Sequence, residues 1–541
     1  AESLALSLKA GTDCFTDNAE LVKASAAEAL ERGLIGEGDI DTAVLRSLRI
    51  RFRLGHFDPD SASPYTVKPL CSEEHTETAL EAARKGVVLL DNDGILPLCP
   101  ESCGKALVIG DLAERNLPDW YSGKPPFAVT PLTAIRKFVP DAGHMTAHDL
   151  CVLVHDELGY LCAGPDGAVS WEAENRTVFE EVDWGFSTVT YRNIQTGKYL
   201  KLNHDGSLSC DSDMVWGWFT YERFSRDEET GRFLPHADTF NDGMGGEGKA
   251  AANTLLASLT RQVLTDGIAK VVDAAARSGV VILTLGNHPL LNGRECFDRP
   301  SIAFPKRWKT LIRRLREVNK NLILTLIAGY PYAFPDEVKY FRAVLYTAHG
   351  EQHVGTAVAE TLFGKNNPAG RLPMTWVESE TDLPEINDYD LINRPRTYQY
   401  FGKPVRYPFG YGLSYTTFSY TGLTAEPDSG GFRLTCAVRN TGPSPGDEVV
   451  QLYVAFHGVL TVFGKPERLP RRTLCGFARI SLQPGELKSV DFSVPREDLA
   501  FFSEEESTFI MPPGRYTFSV GASSEDIRST ADVEILGGAK R

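Results

Sequence analysis

VVILTLGNHPLLNGRECFDRPSIAFPKRWKTLI, residues 280–312, decides how the rest of this 541-residue chain is read. It opens as a β-branched apolar run, short and greasy enough for a buried strand. Gly286-Asn287-His288-Pro289 then breaks the run with turn-forming residues. The loop that follows carries Glu295, Asp298 and Arg299, and a helix with a basic face closes it. In an open α/β sheet, ligands gather on the loops that leave the carboxyl ends of the strands. A carboxylic acid on such a loop, among charged neighbours, is a candidate proton donor. The competing reading is a solvated loop held by an Asp298–Arg299 ion pair.

Working outward, short apolar strands alternate with helices on both sides of this stretch, which predicts a parallel sheet. Ser72–Lys85 reads as a helix, 86–90 as a strand, Asp91-Asn92-Asp93-Gly94 as a tight turn, 105–110 as a strand and Pro131–Phe138 as a helix. Beyond the stretch, strands are expected over 321–327 and 341–346, with a helix over Val354–Phe363. Residues 253–279 read as helical and return the chain to the sheet. Residues 66–150 and 253–412 thus form one discontinuous α/β sandwich domain.

Residues 151–252 interrupt it with a β-rich, aromatic insert that repeats itself. Tyr160-Leu161 and Tyr199-Leu200 lie 39 residues apart, as do Asp166-Gly167 and Asp205-Gly206. Each unit reads as a Tyr-Leu strand and an Asp-Gly hairpin. The units resemble a fascin-like or β-trefoil repeat, with no clear third copy. Trp171, Trp184, Trp216 and Trp218 either bind sugar or fill the insert's own core.

Residues 1–65 read as helix, strand, helix. AGTDCF is the strand, ending at Asp13, and a unit with one strand needs a larger partner sheet. Residues 413–541 alternate apolar and polar residues between Gly/Pro/Asn turns, which predicts a fibronectin type III-like β-sandwich. The chain begins without Met or a signal peptide, and its first residues read as the middle of a domain, so the natural N-terminus is expected upstream.

Composition narrows the function. At 42% hydrophobic and 24% charged residues the chain is ordinary for a globular protein of several domains. A formal net charge of -16 and the lack of a basic patch argue against nucleic acid as partner, while a neutral sugar suits an acidic protein. No apolar run is long enough to span a membrane. Ten scattered cysteines give no zinc spacing and favour reduced thiols and a cytoplasmic location; neither a metal nor another cofactor is expected.

Five motifs, taken together and in order, carry a family resemblance: AGTDCF, GVVLLDNDGILPL, LGNHPLLNGRECFDR, YTAHGEQHVGTAVAETLFGKNNPAGRLPMTW and YPFGYGLSYTTF. The chain resembles the C-terminal part of family 3 glycoside hydrolases, the β-glucosidase and β-xylosidase group. The resemblance implies a (β/α)8 barrel, then an α/β sandwich, then a fibronectin-like domain, with AGTDCF as the last barrel strand. It implies retaining, exo-acting hydrolysis of a β-linked oligosaccharide or glycoside by two carboxyl groups. Glu295 would be the general acid/base, kept neutral by burial under substrate or by the nucleophile's charge. The nucleophile would lie on a barrel segment upstream or on a second chain, and Asp13 is not its equivalent. Arg299, His288 and Tyr398 are the candidate substrate contacts. Against these stand an ion pair for Arg299, a loop cap for His288, and interdomain packing for Tyr398 and Tyr400; His349 reads as packing a strand end. The rival readings are a non-catalytic carbohydrate-binding chain, a structural subunit, and a phosphorylase.

Overall fold

The computed structural model describes residues 1–59, 70–118, 121–122, 125–236, 244–295, 298–428, 430–462, 465–503 and 507–535. The chain divides into two compact units, Ala1–Thr76 and Glu77–Arg541.

The first unit is helical. It contains α1 (Glu2–Lys9), α2 (Ala19–Glu31) and α3 (Glu37–Arg53). Asn18 caps α2 by accepting from the backbone N–H groups of Glu20 and Leu21. Asp39 reaches back to the N–H of Gly36 at the start of α3. Ala5, Ala29 and Ile35 make a small core, while Leu6, Leu21, Ile50, Phe52 and Leu54 remain exposed. AGTDCF is not the expected strand. The N–H groups of Gly11 and Thr12 turn back onto Leu8 and Ser7 and close α1, so they are not available to a sheet. Asp13 pairs instead with Arg46 at 3.3 Å. Among its described residues this unit has no strand, and the expected last strand of a barrel is therefore a helix end followed by irregular chain.

The second unit opens from α4 (Glu73–Gly86) into a six-stranded sheet. Its strands are β1 (Val88–Asn92), β2 (Ala106–Ile109), β3 (Gly143–Met145), β4 (Val280–Gly286), β5 (Leu322–Ile327) and β6 (Ala343–Thr347). The spatial order is β1-β6-β5-β4-β2-β3. Every neighbouring pair is parallel except β1 with β6, so the predicted parallel sheet carries one antiparallel edge. The strands read as unbroken apolar runs because both faces are covered: β4 is buried at all seven positions. α7 (Gly267–Ala275) and α8 (Lys306–Val318) cover one face through Val271, Trp308 and Ile312. α5 (Pro131–Ile135) and α9 (Val354–Leu362) cover the other through Leu132, Ile135 and Val358.

Between β3 and α7 lies the insert, with α6 (Gly246–Ala257) on it. Its strands form one antiparallel sheet ordered 208–212, 199–202, 188–193, 179–185, 149–155, 159–163, 169–172. Strand 224–225 joins through 188–193. The two repeats fold alike. Asp166 accepts from the N–H of Ala168, and Asp205 from that of Ser207. Gly167 and Gly206 share the same left-handed φ of +84°, which a side chain would strain. An Ala168–Ser209 bridge and the bond from Cys210 N–H to the Gly167 carbonyl bring the two hairpins together and curl the sheet shut. One expectation is corrected here. Residues 259–265 are a strand paired with 150–155, so the insert's sheet runs past residue 252 and the return to the α/β sheet is not wholly helical. Polar Thr260, Arg261 and Gln262 stand side by side on this partly exposed strand, so it lacks the alternation that marks a strand and was lost between two helices.

The C-terminal part is a two-sheet sandwich. Strands 418–428, 431–440 and 487–495 form one sheet, and 473–482, 446–456, 514–521 and 527–535 the other. Leu434, Val450, Leu452 and Phe518 fill the space between them. Arg371 of the α/β domain reaches across to Glu448 at 3.1 Å, where Tyr420 also donates.

Candidate active site

The exits of β2, β4, β5 and β6 lie at one edge of the sheet, and an open cleft of ≈ 650 Å³ sits there. Asn287 follows β4, Tyr330 follows β5 and His349 follows β6; Tyr121 comes from the segment after β2. Glu295 and Arg299 project from the loop after β4. This is where a parallel sheet gathers ligands.

Asn287 is buried and ties the strand exits together. Its Oδ1 accepts from the N–H of Gly329 at 3.0 Å and lies 3.2 Å from His349 Nε2. Glu295 is exposed on the cleft lip, and the Tyr121 hydroxyl donates to its Oε2. Burial within this chain therefore does not shield the carboxyl. Arg299 lies against the rings of Tyr330 and Tyr332, its guanidinium carbon 4.6 and 4.8 Å from their centroids, and donates to the Pro331 carbonyl. No ion pair joins it to Asp298 among the described residues; the tyrosine rings hold the loop where a charge pair had been expected.

Two candidates fall elsewhere. His288 is buried beneath the loop and edge-on to Trp184, their rings 4.9 Å apart. Its Nδ1 accepts from the Leu290 N–H, so it caps the turn, and it lines a separate ≈ 340 Å³ cavity rather than the cleft. Burial pushes its pKa down to about 3, with His349 and Arg115 adding to the effect. The imidazole is then neutral through the working range, and its Cε1–H NMR resonance is expected not to move between pH 5 and 8. A titrating resonance would contradict this burial. Tyr398 stacks on Phe409 at 4.3 Å and accepts from the N–H of Leu474 in the sandwich, so it packs domains together away from the cleft. Tyr400 likewise lies under Arg468.

Sequence reading missed Asn287, Tyr121 and Tyr330, and took His349 for a packing residue. Asn287, Tyr330 and His349 each stand within three residues of a strand's carboxyl end, which was the available signal. Tyr121 stands farther along its segment and gave none. The insert's tryptophans divide. Trp184 is buried against the loop, Trp171 packs edge-on against His155, and Trp216 and Trp218 are 42% and 39% exposed. Among the described residues no cluster of three or more His, Cys, Asp or Glu side chains is arranged to hold a metal, and no helix is long and apolar enough to cross a membrane.

An acid-lipped cleft at the carboxyl edge of an α/β sheet, joined to a fibronectin-like sandwich, defines a recognisable class. Residues 87–415 match the glycosyl hydrolase family 3 C-terminal domain, and residues 448–524 match a fibronectin type III-like domain. The chain belongs to glycosyl hydrolase family 3. It is 28% identical to a xylan 1,4-beta-xylosidase of Xylanibacter ruminicola over 93% of its own length and 63% of that protein's. It is 27% identical to a beta-glucosidase of Rhizobium radiobacter, covering 94% of this chain and 68% of the other. The beta-glucosidase of Kluyveromyces marxianus, solved in complex with glucose, shares the fold with a TM-score of 0.69 at 20% identity, over 99% of this chain and 72% of that one. The chain thus spans 54% to 68% of the length of three curated relatives that it matches.

Proposed function

We propose that this chain is the acid/base-bearing part of a retaining, exo-acting β-glycosidase that releases glucose or xylose from β-glycosides. The observation that carries the reading is Glu295 on the lip of the strand-exit cleft, in a chain of this family. In this reading Glu295 protonates the glycosidic oxygen as it leaves. An aspartate nucleophile, from a barrel segment upstream or from a second chain, forms the glycosyl ester. Ionised Glu295 then takes a proton from the water that cleaves the ester, giving net retention. The chemistry calls for no cofactor. Arg299, fixed against two tyrosine rings, is a cleft cation within reach of substrate hydroxyls. The insert reads as two trefoil-like units, with α6 and strand 259–265 in the place of a third.

The test follows aryl β-xyloside and β-glucoside cleavage by the product of the full gene, using NMR of the first sugar released. The β-anomer should appear first, and an initial α-anomer would rule out retention. A second reading, a carbohydrate-binding chain without catalysis, draws on the exposed Trp216 and Trp218. It gains if oligosaccharides bind and neither substrate is cleaved.

A further inference from the structure

The loop that bears Glu295 does not stand on the α/β sheet alone; the insert holds it at several points. Asn292 is buried, and its Nδ2 donates to the Trp184 carbonyl of the insert at 2.8 Å. Its Oδ1 accepts from the His288 N–H at 2.9 Å, which closes the turn leaving β4. One amide group therefore joins the loop to itself and to the insert, three residues before Glu295. Beside it, Leu291 is buried in a cluster with Val182, Trp184, Tyr199 and Val215, all from the insert. Arg294, the neighbour of Glu295, donates to the Trp218 carbonyl.

The far end of the loop is held too. Pro305 packs so closely on Gly185 that a Cβ there would lie 2.4 Å from its ring. Arg307 donates to the Ala147 carbonyl at 2.7 Å and to Asp149 at 2.8 Å. Beyond the Tyr121 hydroxyl on its carboxylate, an exposed acid on a loop is placed by what holds the loop, and a general acid displaced by about 1 Å loses about 10²-fold in rate.

We infer that Asn292 is a positioning residue for Glu295, and that the insert serves the reaction by holding the acid loop through it. This rests on the proton-donor reading of Glu295. The consequence is specific. A misplaced acid slows the departure of poor leaving groups and spares good ones, which need no proton. General loosening slows both alike.

The experiment uses the full-length protein with Asn292→Ala and Asn292→Asp, and a series of β-glycosides from dinitrophenyl to alkyl aglycones. Asn292→Asp keeps the acceptor for His288 and lacks the donor to Trp184, so it serves if the alanine variant does not fold. On alkyl aglycones kcat/KM, which reports formation of the glycosyl ester alone, should fall about 10–100-fold, and on dinitrophenyl aglycones by less than about threefold. The alkaline limb of the kcat/KM pH profile, where the general acid loses its proton, should move as well. Glu295→Ala is the control and should show the steepest dependence on the leaving group. If it does and Asn292→Asp shows an equal loss across the series, or none, the inference is overturned alone. A flat Glu295→Ala series overturns the proton-donor assignment, and the inference with it.

Discussion

Glu295→Ala in the full-length protein is expected to lower turnover of aryl β-glycosides by about 10²–10⁴-fold, the usual worth of a general acid/base. The loss should be largest for unactivated aglycones. With dinitrophenyl aglycones the glycosyl ester still forms, because the leaving group departs unaided, but no base remains to activate water. Azide, a small nucleophile that needs no deprotonation, should restore turnover there and yield a glycosyl azide. The position of Glu295 supports this. It is exposed on the lip, shares the cleft with the exits of three parallel strands, and is fixed to the facing wall through Tyr121. Tyr121→Phe removes that hydroxyl and leaves the carboxyl free to turn into solvent. Turnover of Glu295→Ala within a few-fold of the parent, with no azide effect, would remove this residue from the mechanism.

Asp149→Ala is expected to cause the largest loss of stability. The Asp149 side chain is 7% exposed and accepts from Arg307, Arg261 and the N–H of Gly267, at 2.8, 3.0 and 3.0 Å. Arg261 also contacts buried Glu181 at 2.6 Å, and Arg226, just past strand 224–225, joins Glu181 at 3.2 Å. Removing one member of a buried ionic network leaves its partners unpaired, which costs about 3–5 kcal/mol. Both arginines reach solvent in part, so about 3 kcal/mol is expected, read as a lower urea midpoint for the unit 77–541. Its pH dependence has a definite sign. Burial alone raises the affinity of Asp149 for a proton, but the bonds to Arg307, Gly267 and Arg261 outweigh it and hold the carboxyl below its ordinary value. A group depressed in the folded state stabilises above its unfolded value, about 3.9, and loses that contribution as pH falls through the folded value. The gap between parent and variant should therefore be full at neutral pH and close below about pH 4. A gap that persists at pH 2 would mean that the loss is one of packing rather than charge.

The α/β sheet was legible because strands buried on both faces are written as unbroken apolar runs. Val280–Gly286 and Leu322–Ile327 need no context to be seen. The duplicated Asp-Gly hairpins were legible because the turn chemistry is local. Strand 527–535 went unseen because Ser529 and Ala531 hold two of its alternate positions and thin the apolar pattern. AGTDCF misled because local composition cannot say whether a backbone has a partner to pair with. The place of Glu295 on the loop leaving β4 was legible through a motif. The insert's hold on its loop was not, because Asn292 and Trp184 are 108 residues apart and meet only in the folded chain.

The two ends of the insert are also neighbours. Leu150 pairs with Thr265, and Asp149 accepts from the N–H of Gly267, so the chain leaves the parent sheet and rejoins it through adjoining strands. A module whose entrance and exit share one doorway can be gained or lost in evolution without stretching its host. The α/β sheet would still close across the gap. The lineage that discarded the module would keep its scaffold and have to find another hand to steady the acid.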